Sequence, residues 1–294
     1  MGLWNKQEWY WNLKNIDISN CVFSTTVTDE AIAIWNGKFG KMEINTCKFD
    51  YIGNVINDNI IALYNGLFSN AILYNNEFNI KGKSTRLIKF MNLQDNSALT
   101  VNKNKFNIDN KNTDFTKAYE LILFLNDSIS NTSLNVTGNE LKGASDASYE
   151  TFVTIKNVAN KVVNITNNTN HLNLTTGFTR ITGSTNTTIN ATKNHIYNVR
   201  RLNTIADCTS LEYNYDGNTI DSPMTNYIAS HCDMTYSFTN NNVEYTNSAI
   251  IQCYDVTSSS SIDLEFENNS VRKDDLKLFY SNNSITEKHI LSNN

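Results

Sequence analysis

One short phrase returns along almost the whole chain, and its spacing constrains the fold more than any other feature. In the first copy, residues 16–23, two apolar residues alternate with polar ones, a turn follows, and an aromatic residue ends the phrase. We call the residue two before that final apolar residue the anchor. A period of this length is typical of stacked repeat proteins. The ten anchors recur every 23 to 35 residues and are Cys21, Cys47, Asn76, Asn104, Asn139, Asn168, Asn194, Asn218, Asn241 and Asn269.

The residues before each anchor alternate with the period of a β-strand. Five and three residues before it stand apolar or aromatic side chains, such as Ile16 and Ile18 or Tyr236 and Phe238. Two residues after it stands another apolar side chain, and Asn170 is the single departure. Side chains at every second position share one face of a strand, so this spacing predicts strands rather than helices. One strand per repeat, stacked on its equivalent in the next repeat, predicts an all-β parallel β-helix of about ten coils.

A second apolar segment lies between successive anchors and predicts a second strand in each coil. Its clearest copies are residues 31–36, 60–65 and 87–92, and each ends in Asn. Asn tolerates the backbone of a sharp turn, so each coil is expected to have at least two strands and two corners. We therefore predict one domain, with a cap at residues 1–15, the β-helix at 16–281 and a tail at 282–294. The aromatic residues near the N-terminus favour a cap, because an open coil exposes core and unpaired strand edge.

Stacking of identical coils places each anchor directly over the next. An Asn amide both donates and accepts hydrogen bonds, so a column of such side chains can bond from coil to coil. We expect this structural ladder to contain Asn76, Asn104, Asn139, Asn168, Asn194, Asn218, Asn241 and Asn269. We also expect the anchor itself to take the left-handed conformation that the corner needs.

Composition limits the classes of function. The net charge of -5 leaves no basic footprint, which argues against nucleic acid as a partner. No apolar run is long enough to insert into a membrane, and no residue pattern indicates a metal or another cofactor. The chain has five cysteines. Cys21 and Cys47 occupy equivalent corners and suit a disulfide on distance, but the odd count and unpaired spacing favour two small apolar residues that replace Asn.

No catalytic motif is present, so only carboxylates remain as candidates for chemistry. Glu120 and Glu150 lie at similar positions of successive coils, before the second strand, and stacking would bring them together as a glycosidase pair. They are the weak catalytic candidates. Asp29 and Asp58 precede the second strands of earlier coils and are weak ligand-binding candidates. The alternative for all four is an ordinary solvated acid in a loop.

The outward side of the second strands is unusually apolar in four consecutive coils. Alternation turns outward Ala33 with Trp35, Ala62 with Tyr64, Lys89 with Met91, and Leu123 with Leu125. A stripe this tall exceeds what a soluble monomer usually exposes. Either the long loop at 107–120 folds over the stripe, or three copies pack their stripes together. We favour the homotrimer, with Trp35, Tyr64, Met91, Leu123 and Leu125 at its interface.

These repeats resemble the pectate-lyase-like right-handed parallel β-helix superfamily. The run from Asn15 to Phe23, followed by residues 29–34, is similar to coils of bacteriophage tailspike and appendage proteins. The resemblance covers residues 16 to about 281 and implies a homotrimeric virion protein on a phage tail, able to bind host cell-surface polysaccharide and to contact other virion proteins. None of the family's lyase or polygalacturonase motifs can be placed on the chain. We therefore expect a non-enzymatic structural or receptor-binding protein, with a polysaccharide depolymerase as one alternative and a bacterial surface adhesin as another.

Overall fold

The computed structural model describes most of the chain. The described residues are 11–25, 31–35, 37–53, 59–64, 67–82, 86–92, 98–109, 120–125, 133–144, 147–222, 226–245, 249, 251–254, 260–272, 277, 279–281 and 286–292. Within these ranges the chain forms 29 β-strands. All of their pairings are parallel, and they join each strand to its equivalents in neighbouring coils. The predicted all-β parallel β-helix is confirmed.

The strands form three faces of one solenoid. Face 1 contains the strands that precede the anchors, together with β29, and alternate side chains point to the interior wherever the structure describes them. Its members are β1 (Trp11–Ser19), β4 (Gly37–Asn45), β7 (Leu67–Tyr74), β10 (Ala98–Asn102), β13 (Ser133–Thr137), β16 (Val162–Thr166), β19 (Thr185–Thr192), the later parts of β21 (Asn203–Asp216) and β23 (Asn226–Thr239), β26 (Ser261–Glu267) and β29 (Thr286–Ser292).

Face 2 contains the predicted second strands. Because β21 and β23 run through the corner between the two faces, faces 1 and 2 form one continuous sheet of 19 described strands. The members of face 2 are β3 (Ile32–Trp35), β6 (Asn59–Tyr64), β9 (Arg86–Met91), β12 (Glu120–Leu125), β15 (Ser148–Lys156), β18 (Asn173–Thr182), the first parts of β21 and β23, β25 (Ile251–Tyr254) and β28 (Phe279–Ser281).

Face 3 is a separate sheet of short strands, and ten of them are described. Each begins directly after an anchor, so the anchor marks the corner between faces 1 and 3. Its members are β2 (Val22–Thr25), β5 (Lys48–Gly53), β8 (Glu77–Gly82), β11 (Lys105–Asp109), β14 (Glu140–Gly143), β17 (Thr169–Asn170), β20 (His195–Tyr197), β22 (Thr219–Asp221), β24 (Asn242–Tyr245) and β27 (Ser270–Val271).

Described strands reach into both predicted end segments, and the division into cap, β-helix and tail stays a prediction. Residues 11–15, predicted as part of a cap, belong to β1, which pairs with β4 from Trp11 onward. The predicted tail contains β29, which pairs with β26. Thr286 of β29 lies opposite Ser261 of β26, 25 residues earlier in the chain. An uncovered strand edge offers a row of unpaired backbone groups, so a further strand at the ordinary repeat spacing completes the pairing there.

The backbone of the corner also corrects an expectation. The left-handed residue is not the anchor but the residue before it, as at Asn75 (φ 55°), Lys103 (φ 53°) and Asn240 (φ 54°). Glycine takes this position in two corners, Gly138 and Gly217. Turning the chain one residue early leaves the anchor free to point its side chain into the solenoid, where the eight anchor asparagines are buried.

Candidate functional site

A groove runs along the outside of face 3, where the short strands present polar side chains to solvent. Its first part has a volume of about 570 Å³ and is lined by the ends of β5, β8, β11 and β14. Phe49, Phe78 and Phe106 point inward from three of these strands and stack in the core. Alternation therefore turns the intervening residues outward, where they line the groove.

A row of amide and carboxylate groups crosses the groove from coil to coil. Asn107 donates to the Oδ1 atom of Asn79 at 2.8 Å, and Asn79 donates to Asp50 Oδ1 at 2.8 Å. Lys48 forms an ion pair with Asp50 at 3.0 Å. The hydrogen bond from Asn79 lowers the pKa of the Asp50 carboxyl, and Lys48 and Lys81 lower it further. Asp50 is therefore held as a carboxylate, and the row offers fixed donors and acceptors at the spacing of the coils.

The groove continues onto later coils. A second cavity of about 490 Å³ shares Gly143 and Ala144 with the first and is also lined by His171, Asn198 and Arg200. The His171 ring stacks on Tyr197 with 4.5 Å between ring centroids and 8° between planes. From β5 to β20 the groove spans five steps between strands of about 4.8 Å, or about 24 Å in all.

Sequence reasoning missed this groove, although a signal for it was present. The strands after the anchors read Lys-Phe-Asp, Glu-Phe-Asn and Lys-Phe-Asn at residues 48–50, 77–79 and 105–107. The central Phe marks the interior, so the flanking charged and amide residues must form outward columns on stacked coils. Only the inward residue of each of these strands was considered in the sequence, so the outward columns were not predicted.

The anchor column beside face 3 is a continuous structural ladder. Asn104 donates from Nδ2 to Asn139 Oδ1 at 3.1 Å and to the Leu73 carbonyl at 3.0 Å. Its own Oδ1 accepts from the backbone N–H and Nδ2 of Asn76 at 2.9 and 3.0 Å. The same pattern joins each pair of neighbours down to Asn269, where Nδ2 of Asn241 donates to Oδ1 at 3.1 Å. This fixes the corner from which every groove strand starts.

The two catalytic candidates lie on face 2, away from the groove. Glu120 is buried and forms an ion pair with Arg86 Nε at 2.7 Å. Glu120 pairs in register with Thr151, so it is next to Glu150 on the following coil. Glu150 lies 3.8 Å from Arg180. Burial raises the pKa of Glu150 to about 7; Arg180 opposes this and the Glu120 carboxylate adds to it. The structure thus brings the two acids together inside a cluster with two arginines.

The side chains of the apolar stripe on face 2 that the structure describes are mostly buried or half-buried. Tyr64 and Leu123 are 6% and 3% exposed within the single chain, and Met91 and Leu125 are half-buried. The ammonium group of Lys89 lies over the Tyr64 ring, 4.8 Å from its centroid. The side chain of Trp35 lies outside what the structure describes. Tyr64 and Leu123 are therefore covered within one chain, and both the homotrimer and its interface stay predictions.

The remaining candidates from the sequence are two aspartates, the cysteines, and possible metal or membrane sites. Asp29 and Asp58 lie outside the described residues. All five cysteines lie within the described ranges, and none of them forms a disulfide in the structure. Within the described ranges, no cluster of three or more His, Cys, Asp or Glu residues is arranged to hold a metal ion. No helix in the same ranges is long and apolar enough to cross a membrane.

Comparison with known proteins adds no relative. No protein family, curated protein or solved structure matches the chain. The architecture is consistent with the pectate-lyase-like parallel β-helix fold.

Proposed function

We propose that this protein binds an extended polysaccharide along the groove on face 3, as a non-enzymatic receptor-binding or structural component. The observation that carries the proposal is the row from Asp50 through Asn79 to Asn107, which repeats hydrogen-bonding groups along the axis of the solenoid. A linear glycan repeats its hydroxyl groups along its own axis. Donors and acceptors held in a rigid row pay little ordering entropy on binding, so they suit such a ligand.

The shape of the groove supports the same ligand. It is open and elongated, and its lining combines apolar side chains such as Tyr51 and Ile52 with the polar groups of the row, which would fix the orientation of a ligand. The His171–Tyr197 stack presents an aromatic ring surface at the far end. Aromatic rings combine a large apolar face with a polar edge, which fits the mixed character of a sugar ring.

Binding can be tested on an array of bacterial capsular and exported polysaccharides, with the full chain as the probe. Replacing both Asn79 and Asn107 with Ala removes the middle of the row and is expected to lower affinity for any retained glycan at least about tenfold, since several hydrogen bonds of about 1 kcal/mol are lost.

A matched control lies on the outside of face 1. There, Asn190 donates to Asn164 at 2.9 Å and accepts from Asn214 at 3.0 Å, so it has the same chemistry and stacking outside the groove. Asn164→Ala with Asn190→Ala should leave affinity unchanged. Equal losses in the two double variants would show that binding does not use the groove, and no binding to any glycan would remove the proposal.

We further propose a place for the protein on a bacteriophage virion, at the tail or an appendage, where it would meet host cell-surface polysaccharide. The resemblance of residues 15–23 and 29–34 to tailspike coils, stated from the sequence, supports this. A homotrimer, and contacts with other virion proteins, belong to the same proposal. Sedimentation equilibrium of the full chain tests the trimer, and a monomer at tens of micromolar would rule it out. A bacterial surface adhesin would use the groove in the same way.

A second function is favoured by one specific observation, the neighbouring carboxyls of Glu120 and Glu150. A carboxyl with its pKa raised to about 7 is protonated enough at neutral pH to act as a general acid beside a second carboxylate. This would make the protein a polysaccharide depolymerase. Release of reducing ends from a bound glycan, abolished by Glu120→Gln or Glu150→Gln, would favour cleavage over binding alone.

A further inference from the structure

The first link of the anchor column differs chemically from all later links. Cys21 and Cys47 stand where the later coils have Asn. The backbone places them as true equivalents: Lys48 N–H donates to the Cys21 carbonyl at 2.8 Å, as Glu77 does to Cys47 and Lys105 does to Asn76. Strands on both sides are in register, with Ser19 opposite Asn45 and Val22 opposite Lys48. The two cysteines are therefore stacked on adjacent coils.

The thiol of Cys47 occupies the place of an anchor amide. Its sulfur lies 3.4 Å from the carbonyl oxygen of Ile18, just as Asn76 Nδ2 reaches Ile44 O of the preceding coil. Its backbone N–H still donates to Asn76 Oδ1 at 2.9 Å. A thiol is too weak a hydrogen-bonding group to carry the ladder further. The hydrogen-bonded column thus ends at Cys47, one coil before the N-terminal edge of the described solenoid.

We propose that Cys21 and Cys47 form an inter-coil disulfide on exposure to a disulfide oxidant, and so continue the ladder covalently to the first coil. Stacked strands are about 4.8 Å apart, which lies within the Cα separation that disulfides span. Cys21 is partly exposed, whereas Cys47 is 2% exposed, so an oxidant reaches Cys21 first.

The reaction with oxidised glutathione balances in two exchange steps. The Cys21 thiolate attacks one glutathione sulfur and expels a glutathione thiolate. The Cys47 thiolate then attacks the Cys21 sulfur of the mixed disulfide and expels the second glutathione thiolate. The two protons lost from the cysteines leave on the two reduced glutathione molecules. Burial raises the pKa of the Cys47 thiol, so the second step should accelerate as pH rises.

A second cysteine pair in the same chain provides a matched control. Cys208 and Cys232 are also opposite each other on neighbouring coils, but both are fully buried. If register alone decided oxidation, the two pairs would react alike. If access also matters, the Cys21–Cys47 pair reacts in the native protein and the Cys208–Cys232 pair stays reduced until unfolding.

The test treats the native, reduced full chain with oxidised glutathione at mildly alkaline pH, followed by alkylation of remaining thiols and peptide mass spectrometry. The expected product joins the peptides of Cys21 and Cys47 with loss of two hydrogens, and the unfolding midpoint rises by several degrees. The variant Cys47→Ser should instead accumulate the glutathione adduct at Cys21, with no rise in the midpoint.

Three results would overturn the proposal. One is a stable glutathione adduct at Cys21 in the unmodified chain, another is a native protein in which Cys21 and Cys47 stay reduced, and the third is prior oxidation of Cys208 with Cys232. A single variant that fails to fold does not confuse the outcome, because the unmodified chain supplies the main result.

Discussion

The early coils and the late coils fill the same interior cross-section in opposite ways. In the early coils, face 3 supplies a column of phenylalanines, with Phe49 and Phe78 stacked at 4.8 Å between centroids and Phe78 and Phe106 at 5.0 Å. Face 1 supplies smaller residues opposite them, such as Ala71 and Leu73. In the late coils, face 1 supplies the stacked rings instead, and the ring centroids of Tyr213 and Tyr236 are 5.4 Å apart. The inward residues of face 3 are smaller there, Ile220 and Val243.

This change of the large rings from face 3 to face 1 follows from close packing. The cross-section of a solenoid changes little from coil to coil, so a large side chain on one face requires a small one on the opposite face. The two solutions differ in polarity, however. Phenylalanine brings no polar atom into the core, whereas each tyrosine brings a hydroxyl that must find a partner there.

The late coils satisfy the buried hydroxyls of Tyr213 and Tyr236 with a network that crosses the interior from face 1 to face 2, whereas the buried hydroxyl of Tyr215 has no hydrogen-bond partner among the described residues. Tyr213 donates to Asn203 Oδ1 at 2.8 Å, and Tyr236 donates to Asn226 Oδ1 at 2.8 Å. Asn203 also donates to Asn226 at 2.6 Å and accepts from Thr179. Burial raises the pKa of both tyrosines, which keeps their hydroxyls protonated. The early coils should therefore tolerate lost volume poorly, and the late coils should tolerate a lost partner poorly.

The largest effect is expected from Asn203→Leu. This change removes hydrogen-bond partners from Thr179, Tyr213, Asn226 and Tyr236 together, and it should lower the free energy of unfolding of the late coils by about 3–5 kcal/mol. Amide hydrogen exchange, measured separately for each strand, tests this prediction. Protection should fall in β18, β21 and β23 and stay unchanged in β5 and β8. Ile205→Val, in the same strand, is the control, at about 0.5–1.5 kcal/mol. A loss no greater than that of the control would show that the network is not stabilising.

Breaking the anchor ladder is expected to cost somewhat less than Asn203→Leu, and to cost the same in the early coils as in the late coils. Asn104→Leu in an early coil and Asn218→Leu in a late coil each remove amide partners on both sides, at about 1–3 kcal/mol. The hydrogen bonds around them are alike, with Asn218 donating to Asn241 and to the Ala191 carbonyl, both at 2.9 Å. Denaturant midpoints of the two variants should agree closely. A clear difference would mean that the interior, rather than the ladder, sets the cost.

Much of this comparison could be predicted from the sequence, because a stacked repeat turns one local pattern into long-range contacts. The anchors, the strand period and the inward positions of Phe78 and Tyr236 follow from spacing alone. The network of Asn203 and Asn226 did not follow, since it joins two faces whose relative rotation depends on how β21 and β23 bend at the corner between them. The groove on face 3 and the burial of Tyr64 depend likewise on how strands and side chains pack around the solenoid, which a period does not specify.

The difference in polarity can be reversed one hydroxyl at a time, at about 1–2 kcal/mol for each change. Phe78→Tyr adds a buried hydroxyl to the apolar stack, and Tyr236→Phe takes one from the network, so that Asn226 Oδ1 loses one of its two donors and keeps Asn203 Nδ2. Both changes should lower the thermal midpoint, although they run in opposite chemical directions. If Tyr236→Phe were neutral while Phe78→Tyr was costly, the late interior would be an ordinary apolar core.

A pH dependence is expected at the boundary between the two regions, where Glu150 lies. Its pKa is raised to about 7 from an ordinary value of 4.5, so the folded state holds this proton more tightly than the unfolded chain does. The resulting stabilisation is fully present below about 4.5 and is lost as pH rises to about 7. Glu150→Gln resembles the protonated form and should flatten the stability profile across that window, with higher stability than the unmodified chain above it. Glu140→Gln, at a half-exposed carboxyl that pairs with Lys142 at 2.6 Å, is the control and should leave the slope unchanged. Thermal midpoints measured at several pH values decide the matter, and an unchanged slope in Glu150→Gln would show that the arginines beside the cluster already keep this carboxyl ionised.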